Sequence, residues 1–348
     1  MSEVKENIMS RFKNQLLGFI IISVLLVLFV QLFGCGPAPV PVPATISLQS
    51  GNGQTAPARG TLPKDIITTL SEASGLASGD TGDILIEYVI IKGGGSVSEP
   101  MATVRMPDVL GHRVQWTLGG FGENELQIKA TWVASSNAVG GSPITVKAQT
   151  ETVSDVDKNT YNIVRIGDQD WMVGNLKTTR YNDGTPIKKV TDSIEWTGLT
   201  TDAYCWYENN EVYKDPYGAL YNQYAATNSK LCPTGWHVGT EDDWSTLIDT
   251  AGGLNVAGTK LKESGTAHWV HNPTATNELL FTVVGNGQRS VNFGSFGNRD
   301  INGGCWSSTI NGSNEGIGFG FTITVDEVEK GPSKRIRGSG VRCMRDSL

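Results

Sequence analysis

The chain has 348 residues, with 28 lysines and arginines against 35 aspartates and glutamates, and a formal net charge of −7. Its basic residues are scattered and form no stripe that could neutralise phosphates, so nucleic acid is not an expected partner. With 42 glycines and only 18% charged residues, the composition favours turn-rich β structure over helical bundles. The length beyond the N-terminal segment suits about two domains of ~100–200 residues each.

The N-terminal segment has the order of features of an export signal. Lys5, Arg11 and Lys13 form a basic flank, and the apolar run 16–30 follows it. This run is shorter than the ~20 apolar residues that a membrane-spanning helix needs. It is followed by Leu-Phe-Gly-Cys at 32–35, which resembles the lipobox of bacterial lipoproteins.

We therefore predict that residues 1–34 are a lipoprotein signal peptide and that Cys35 becomes the lipid-modified N-terminus. Lipid would then anchor the protein to a membrane, at the outer membrane or cell surface and outside the cytoplasm. An uncleaved N-terminal anchor with a chance cysteine is the alternative, and it also leaves the protein exported. Residues 35–44 carry alternating prolines, which favour an extended polyproline II linker.

Residues 45–151 show the alternation of apolar and polar residues that half-buried strands require. The runs 114–118, 126–130 and 144–148 alternate in this way, and the run 84–91 has little polarity on either face. Glycine-rich turns separate these runs. Several short strands between turns predict an all-β antiparallel sandwich.

Recurring turn and core positions within this segment lie at 50–54, 92–98, 116–119, 122–126 and 141–146. Together they resemble the bacterial immunoglobulin-like repeats of invasin-type surface proteins. The resemblance implies an immunoglobulin-like fold with a spacer or adhesive role. It implies no specific site, because a fold alone does not carry a function.

In residues 155–348 one helix stands out. Thr240 is a good N-cap residue, and three acidic residues follow it in the first turn, where the helix dipole favours negative charge. Apolar residues recur at helical spacing up to Ala251, and Gly252 ends the pattern. The remainder is typical of short strands and long loops, which predicts an α+β domain.

A more specific pattern runs through this segment, in order along the chain, at 164–172, 175–187, 203–207, 217–222, 231–238, 260–263, 306–309 and 341–346. It resembles the Fibrobacter succinogenes major paralogous domain, whose members are mostly secreted proteins or lipoproteins. The resemblance implies a C-type-lectin-like fold, display outside the cell and binding, and it supplies no catalytic residue. The chain departs from the family pattern at Cys305, where tryptophan is usual, and at Gly239, where proline is usual.

Five cysteines are present, and four remain if Cys35 carries lipid. Cys205, Cys232, Cys305 and Cys343 allow three pairings, and their spacing does not choose among them. In C-type-lectin-like folds a cysteine near the first helix is commonly bonded to one in the last strand. The resemblance therefore implies a Cys232–Cys343 disulfide, which leaves Cys205 and Cys305 as candidates for a second one.

Two stretches supply candidate ligand-binding residues. Aromatic side chains crowd residues 204–224 and could stack on sugar rings or partner surfaces, and the polar, glycine-rich loop 286–304 offers many hydrogen-bonding groups. The predicted contacts are Trp206, Tyr207, Tyr213, Tyr217, Arg289, Arg299 and Asp300. The alternatives are that the aromatic residues form the domain core and that the polar side chains satisfy the loop backbone.

The sequence predicts no catalytic, metal or cofactor site. Asp242 and Asp243 are explained by the helix N-terminus that they occupy. His268 and His271 lack the third and fourth ligands that a zinc site needs. The glycine-rich segments do not follow a strand and open a helix, so they do not predict a phosphate cradle.

The favoured hypothesis is a lipid-anchored cell-surface protein that binds a glycan, a wall polymer or a surface protein without catalysis. One alternative is an oxidase or modifying enzyme related to formylglycine-generating enzymes, whose chemistry uses cysteine thiols. It requires Cys305 or another cysteine to be free and paired with a neighbour. A purely structural coat component without a ligand is the other alternative.

Overall fold

The computed structural model describes residues 45–71, 82–105, 111–134, 136–324 and 326–347. The predicted signal peptide, lipidated cysteine and linker lie outside these residues and stay predictions. Within the described ranges, none of the helices combines the length and the apolar character needed to cross a membrane.

The N-terminal part of the described chain is built of strands. They are β1 (Thr45–Ser50), β2 (Gln54–Ala56), β3 (Ile66–Ser71), β4 (Asp83–Lys92), β5 (Gly95–Val97), β6 (Met101–Arg105), β7 (Gly111–Val114), β8 (Trp116–Leu118), β9 (Glu123–Trp132) and β10 (Ile144–Thr150). They form a sheet of order β1-β3-β7, a sheet of order β2-β10-β9-β4-β6 and a β5-β8 ribbon. The pairings are antiparallel, except that β2 lies parallel to β10.

The two larger sheets share one hydrophobic core. In β4, one face buries Ile84, Ile86 and Tyr88, and every second residue of β9 is buried beside them. The three-stranded sheet contributes Ile66 and Val114 to the same core. Two sheets that share a core form a sandwich, which is the arrangement that the alternating pattern predicts.

The run 114–118 differs from the single strand that its alternation predicts. It is divided at Gln115, so that β7 pairs with β3 while β8 pairs with β5. The run 84–91 is one strand, as expected, but its second face leaves Val89 and Ile91 exposed. Apolar composition alone did not reveal that only one face of β4 meets the core.

The C-terminal part combines strands with short helices. Its strands are β11 (Thr152–Ser154), β12 (Thr160–Ile166), β13 (Gln169–Val173), β14 (Tyr204–Cys205), β15 (Leu220–Tyr221), β16 (His237–Val238), β17 (Asn286–Arg289), β18 (Phe296–Arg299), β19 (Asn302–Asn311), β20 (Glu315–Thr322), β21 (Glu329–Lys334), β22 (Gly340–Val341) and β23 (Cys343–Asp346). Its helices are α1 (Ser193–Thr197), α2 (Lys214–Tyr217), α3 (Gln223–Ala226), α4 (Glu241–Thr250) and α5 (Leu254–Leu261), with 3-10 turns at Tyr207–Asn209 and Glu211–Tyr213.

Two sheets dominate this part, of order β11-β12-β13-β23-β16 and β21-β20-β19-β22, and the pairs β14-β15 and β17-β18 lie outside them. Aromatic residues fill the core between these sheets and the helices α4 and α5. Trp244 of α4 stacks on Phe319 of β20 with ring centroids 4.9 Å apart, and Trp171 of β13 lies 5.1 Å from Trp244. Strands thus outweigh helices in the described chain.

The predicted helix after Thr240 is confirmed. The Thr240 hydroxyl accepts a hydrogen bond from the Asp243 backbone N–H, and the Asp243 carboxylate accepts one from the Thr240 N–H, which completes a capping box. The helix buries Trp244, Leu247 and Ile248 on one face. The acidic residues of its first turn are therefore explained by the helix itself.

Cys232 and Cys343 form the disulfide that the family resemblance implies. Cys343 begins β23, which pairs with β16, so the bond ties the segment before β16 to the last strand. The expected second disulfide is wrong, because Cys205 and Cys305 carry free thiols. They are buried in separate core clusters, Cys205 with Leu220 and Cys305 among the residues around β19 and β20.

The two parts of the chain contact each other beyond their covalent connection. The Ala58 N–H donates to the Ile163 carbonyl at 2.9 Å, and the Ala58 carbonyl accepts from the Arg165 N–H at 2.8 Å. The Arg59 guanidinium donates to the Glu278 carbonyl at 2.8 Å. The domain boundaries inferred from sequence stay predictions.

Candidate ligand-binding site

Five of the predicted binding residues come together in what we call the Arg299 cluster: Tyr207, Tyr213, Tyr217, Arg299 and Asp300. The centre of the Arg299 guanidinium lies 4.3 Å from the ring centroid of Tyr213, 5.3 Å from that of Tyr207 and 5.8 Å from that of Tyr217. Such contacts attract a cation to the aromatic face. The three tyrosines therefore fix the position of one guanidinium.

Asp300 completes the cluster. Its carboxylate accepts hydrogen bonds from the Tyr217 hydroxyl at 2.5 Å and from Arg299 Nε at 3.2 Å. Burial raises the pKa of Tyr217, and the hydrogen bond to Asp300 raises it further, so the phenol keeps its proton and donates it. The Arg299 and Asp300 side chains are 27% and 25% exposed, which leaves a cation and a carboxylate at the surface in a fixed arrangement.

Two glycines, one just before β17 and one within it, allow this close packing. A Cβ atom at Gly285 would lie 2.7 Å from the Asp300 Cα, and one at Gly287 would lie 2.8 Å from the Tyr207 ring. Real Cβ atoms do not approach so closely, so both positions require glycine. The glycines of this loop thus allow the residues of the Arg299 cluster to pack closely.

The backbone around the cluster is strained. Asn298 and Asp300 have φ values of 62° and 63°, and Glu208 and Asn209 have φ values of 52° and 57°. Non-glycine residues adopt such values at a cost of ~1–3 kcal/mol, and they concentrate at sites where the surrounding structure holds them for function. The hydrogen bond from the Asp300 N–H to the Gly285 carbonyl, at 2.7 Å, is one contact that holds this conformation.

Sequence reasoning missed several neighbours of the cluster. The His268 ring meets the Tyr217 ring edge-on, with centroids 5.6 Å apart. Val212, Val270 and Ile301 are exposed beside cluster residues, and the Val270 N–H donates to the Asp300 carbonyl. His268 had a sequence signal only as a possible metal ligand. Isolated apolar residues in polar loops give no signal of where they will lie.

Arg289 is a correction to the predicted contacts, because its side chain is fully buried. Its guanidinium donates hydrogen bonds, 2.6 to 3.0 Å long, to the backbone carbonyls of Val190, Thr191, Asp192 and Gly294. It also packs 4.4 Å from the Trp196 ring centroid. Arg289 therefore ties β17 to the segment before α1 and cannot contact a ligand.

Trp206 is the second correction, since it is 1% exposed and packs edge-on against Tyr204. The alternative, that the aromatic stretch serves the core, is right for this residue. Tyr207 and Tyr217 are also largely buried, and only the ring of Tyr213 is partly exposed. The predicted aromatic platform is thus reduced to one ring beside Arg299.

The free thiols are poorly suited to catalysis. Burial raises the pKa of Cys205 to about 11 against the opposing effect of Arg289, and it raises the pKa of Cys305 to about 11 against that of Arg342. A thiol with such a pKa stays protonated at neutral pH and is a weak nucleophile. In the part of the chain that the structure describes, no three histidine, cysteine or acidic side chains are grouped to hold a metal ion.

The fold and the site define a class of protein. It is rich in β structure, has a fixed surface pair of opposite charges, and has no activated thiol among the described residues. The sequence model of the Fibrobacter succinogenes major domain matches residues 164–345, which is more than half of the chain. The chain belongs to this family. The match includes the disulfide, α4 and every residue of the Arg299 cluster.

Similarities to solved structures are low. A conjugative transposon lipoprotein from Bacteroides eggerthii is 15% identical over 30% of this chain and 96% of that chain, with a TM-score of 0.24. The Yersinia pseudotuberculosis adhesin InvE is 10% identical over 88% of this chain and 70% of that chain, with a TM-score of 0.30. No curated protein matches the chain significantly.

Proposed function

We propose that this protein is a lipid-anchored, extracytoplasmic binding module that holds a hydroxyl-rich glycan or wall polymer at the Arg299 cluster, without turnover. In this proposal an immunoglobulin-like spacer, residues 45–151, carries a C-type-lectin-like domain, residues 155–348. The two-sheet core of the first part supports the spacer. The disulfide, α4 and the mixed strand and helix content of the second part support the lectin-like domain.

The observation that carries the proposal is the rigid Arg299–Asp300 pair. The guanidinium supplies hydrogen-bond donors and the carboxylate supplies acceptors, and sugar hydroxyls can use both. Three tyrosine contacts and a strained backbone hold the pair in place before any ligand arrives. Preorganisation of this kind lowers the entropy cost of binding. The partly exposed ring of Tyr213 offers an apolar surface beside the pair.

The enzyme alternative finds no support at the cysteines. A formylglycine-generating type of chemistry requires a free cysteine paired with a neighbour, whereas Cys205 and Cys305 are buried in different clusters. Their raised pKa values also disfavour the reactive thiolate. A structural coat component would have no need of a preorganised charged pair at its surface. Binding therefore accounts for more of the site than either alternative.

The test is retention of the purified full chain on an array of bacterial and host polysaccharides and cell-wall preparations. Arg299→Lys keeps the charge but loses the planar fork, and Tyr213→Ala removes the exposed ring. We expect each to weaken retention at least tenfold. Arg105→Ala is the matched control, because this arginine lies on β6 and is well exposed.

Two results would contradict the proposal. Unchanged retention by both cluster variants would show that binding uses another surface. A wild-type chain that is retained on no polysaccharide or wall polymer would favour the coat-component alternative. Circular dichroism and thermal melting of each variant establish that loss of retention is not loss of the fold.

A further inference from the structure

A second concave surface lies on the sheet formed by β19, β20 and β21, away from the residues of the Arg299 cluster. Gly318 and Gly320 lie on one face of β20, because side chains alternate along a strand. Gly331 of β21 is directly opposite Gly318, and Trp306 of β19 is opposite Gly318 on the other side. The three glycines line the floor of a cavity of about 220 Å³, which we call the glycine pocket.

These glycines are not required by the backbone or by close packing. None of the three has a positive φ. A Cβ at Gly331 would meet no atom within 4 Å, and a Cβ at Gly318 or Gly320 would make ordinary contacts of 3.4 to 3.9 Å. By contrast, a Cβ at Gly316 on the same face would lie 2.4 Å from the Gln223 side chain.

Glycine within a strand costs ~0.5–1 kcal/mol relative to alanine, because it contributes no packing and loses more backbone entropy on folding. The three glycines of the pocket floor therefore lower stability at positions where the fold does not require glycine. What they preserve is empty space above the sheet. A side chain at any of the three would project into that space.

The wall of the glycine pocket carries polar side chains. Arg337 and Ser339 come from the loop before β22, and Glu329 comes from β21. The Nε atom of Arg337 is buried and has no hydrogen-bond partner among the described residues. Because this atom is closed to solvent, a ligand in the pocket would contact the more exposed part of the Arg337 side chain.

Two charges of opposite sign face the pocket. Burial lowers the pKa of the Arg337 guanidinium, and the nearby charge of Glu329 partly restores it. The Glu329 carboxylate lies over the floor, with Oε2 3.4 Å from the Cβ position of Gly320. Lys330 also borders the pocket, but its amine is paired with Glu241 at 2.6 Å. Arg337 is therefore the cation available to an anion in the pocket.

We propose that the glycine pocket binds a single acidic sugar unit, a hexuronate, with its carboxylate on Arg337 and its hydroxyls on Glu329. This deepens the proposed function, on which it rests, by naming an acidic polysaccharide as the ligand class and adding a second contact site for it. An arginine suits a planar carboxylate, and a carboxylate accepts from sugar hydroxyls.

The size of the pocket limits the ligand. Its volume of about 220 Å³ is below the ~300–1,000 Å³ of pockets for drug-sized ligands. The pocket therefore suits one sugar ring, and the rest of a longer polysaccharide would extend out through its open side. Glu329 repels the carboxylate of the sugar, so the sugar is oriented with that carboxylate toward Arg337.

The test is calorimetric titration of the full chain with glucuronic acid, with glucose and acetate as separate probes. We expect glucuronic acid to bind at least tenfold more tightly than either probe, since each lacks half of the recognised chemistry. Gly331→Leu fills the pocket and should abolish binding while leaving the melting temperature unchanged or higher. Arg337→Met should abolish binding, and Glu329→Gln should weaken it severalfold.

Gly198→Leu is the matched control, because Gly198 has φ −92°, is exposed and has no contact closer than 3.7 Å at its Cβ position. It should bind glucuronic acid like the wild type. The proposal is overturned if glucuronic acid does not bind, if Gly331→Leu binds it normally, or if acetate binds equally well, since the last result indicates a general anion site.

The two proposals fail separately. Polysaccharide retention that depends on Arg299 but not on Arg337 or Gly331 would overturn the glycine pocket alone. Glucuronic acid binding that is lost in Gly331→Leu, in a chain that no polysaccharide retains, would overturn the proposed function alone.

Discussion

The buried guanidinium of Arg289 joins segments that lie 97 to 99 residues apart along the chain. Arg289→Ala would remove the donor to four carbonyls and open a cavity beside Trp196. The Thr191 and Asp192 carbonyls keep donors in the Asn209 side chain and the Trp196 N–H, whereas those of Val190 and Gly294 lose the guanidinium bond. Each buried acceptor without a partner costs ~1–3 kcal/mol, so we expect a loss of at least about 3 kcal/mol in the free energy of unfolding. Urea denaturation followed by tryptophan fluorescence measures it.

Arg113→Ala provides the comparison for Arg289, because the Arg113 side chain is 69% exposed. Substitutions at such surface positions usually stay within ~0.5 kcal/mol of the wild type. If Arg289→Ala destabilised the protein no more than Arg113→Ala, the buried guanidinium would not have the structural role that we assign to it.

The two free thiols make stability depend on pH in the alkaline range. The pKa values of Cys205 and Cys305 are raised by burial from 9.0 to about 11, so the folded state retains these protons where the unfolded state loses them. Their contribution to stability is complete below pH 9 and decreases as the pH rises from about 9 to about 11. Denaturation at a series of pH values measures the decrease.

A Cys205→Ala, Cys305→Ala variant should lose this part of the alkaline dependence. Thiol titration at pH 8 should find both thiols unreactive in the native chain and both reactive after unfolding. Rapid alkylation of either thiol in the native chain would contradict the assigned burial and would reopen the enzyme alternative.

The limits of sequence reasoning at this scale are clear at Arg289 and Arg299. Both are arginines in one polar, glycine-rich loop, and nothing local distinguishes them. Arg289 is buried because carbonyls from a distant segment surround it, whereas Arg299 lies against tyrosines at the surface. Such a difference depends on long-range packing, so the sequence could identify the loop but not which arginine is available to a ligand.

Helix α4 is the element whose ends are best defined by local chemistry. Thr240→Ala removes the hydroxyl that accepts from the Asp243 N–H and breaks the capping box. Loss of such a cap costs ~1 kcal/mol, and we expect about that loss in the free energy of unfolding. Thr246→Ala, on an exposed position of the same helix, should be neutral or slightly stabilising because alanine has the higher helix propensity.

An equal effect of the two threonine substitutions in chemical denaturation would show that the cap does not stabilise α4.

The sequence predicts α4 but does not predict the glycine pocket. A cap, a run of acidic residues and an apolar repeat are adjacent in sequence, so the sequence alone predicts α4. The glycines of β20 predict only turns or tight strands, because the space that they leave open depends on pairing with β21.

At the scale of the whole molecule, the first part has one core cluster and the second part has three, and the two parts contact at Ala58 and Arg59. The alternating strands of the first core were predictable because burial on one face imposes a period of two. The second part was predictable mainly through its family pattern, since its strands are short and its loops long. The positions of the Arg299 cluster and the glycine pocket on it were not predictable, because each combines residues from distant segments.

The predicted lipid anchor would determine where the whole molecule acts, and its test is the remaining prediction. Cys35 follows a basic flank and an apolar run too short to span a membrane as a helix, so export should end in cleavage before Cys35 and acylation of its thiol. Two acyl chains anchor a protein stably where one does not.

Cys35→Ala should therefore yield an unprocessed precursor that is longer by the signal peptide, whereas Cys205→Ala should be processed like the wild type. Mass spectrometry of the N-terminus and detergent partitioning measure both. Normal processing and unchanged partitioning of Cys35→Ala would show that the chain is held at the membrane in another way.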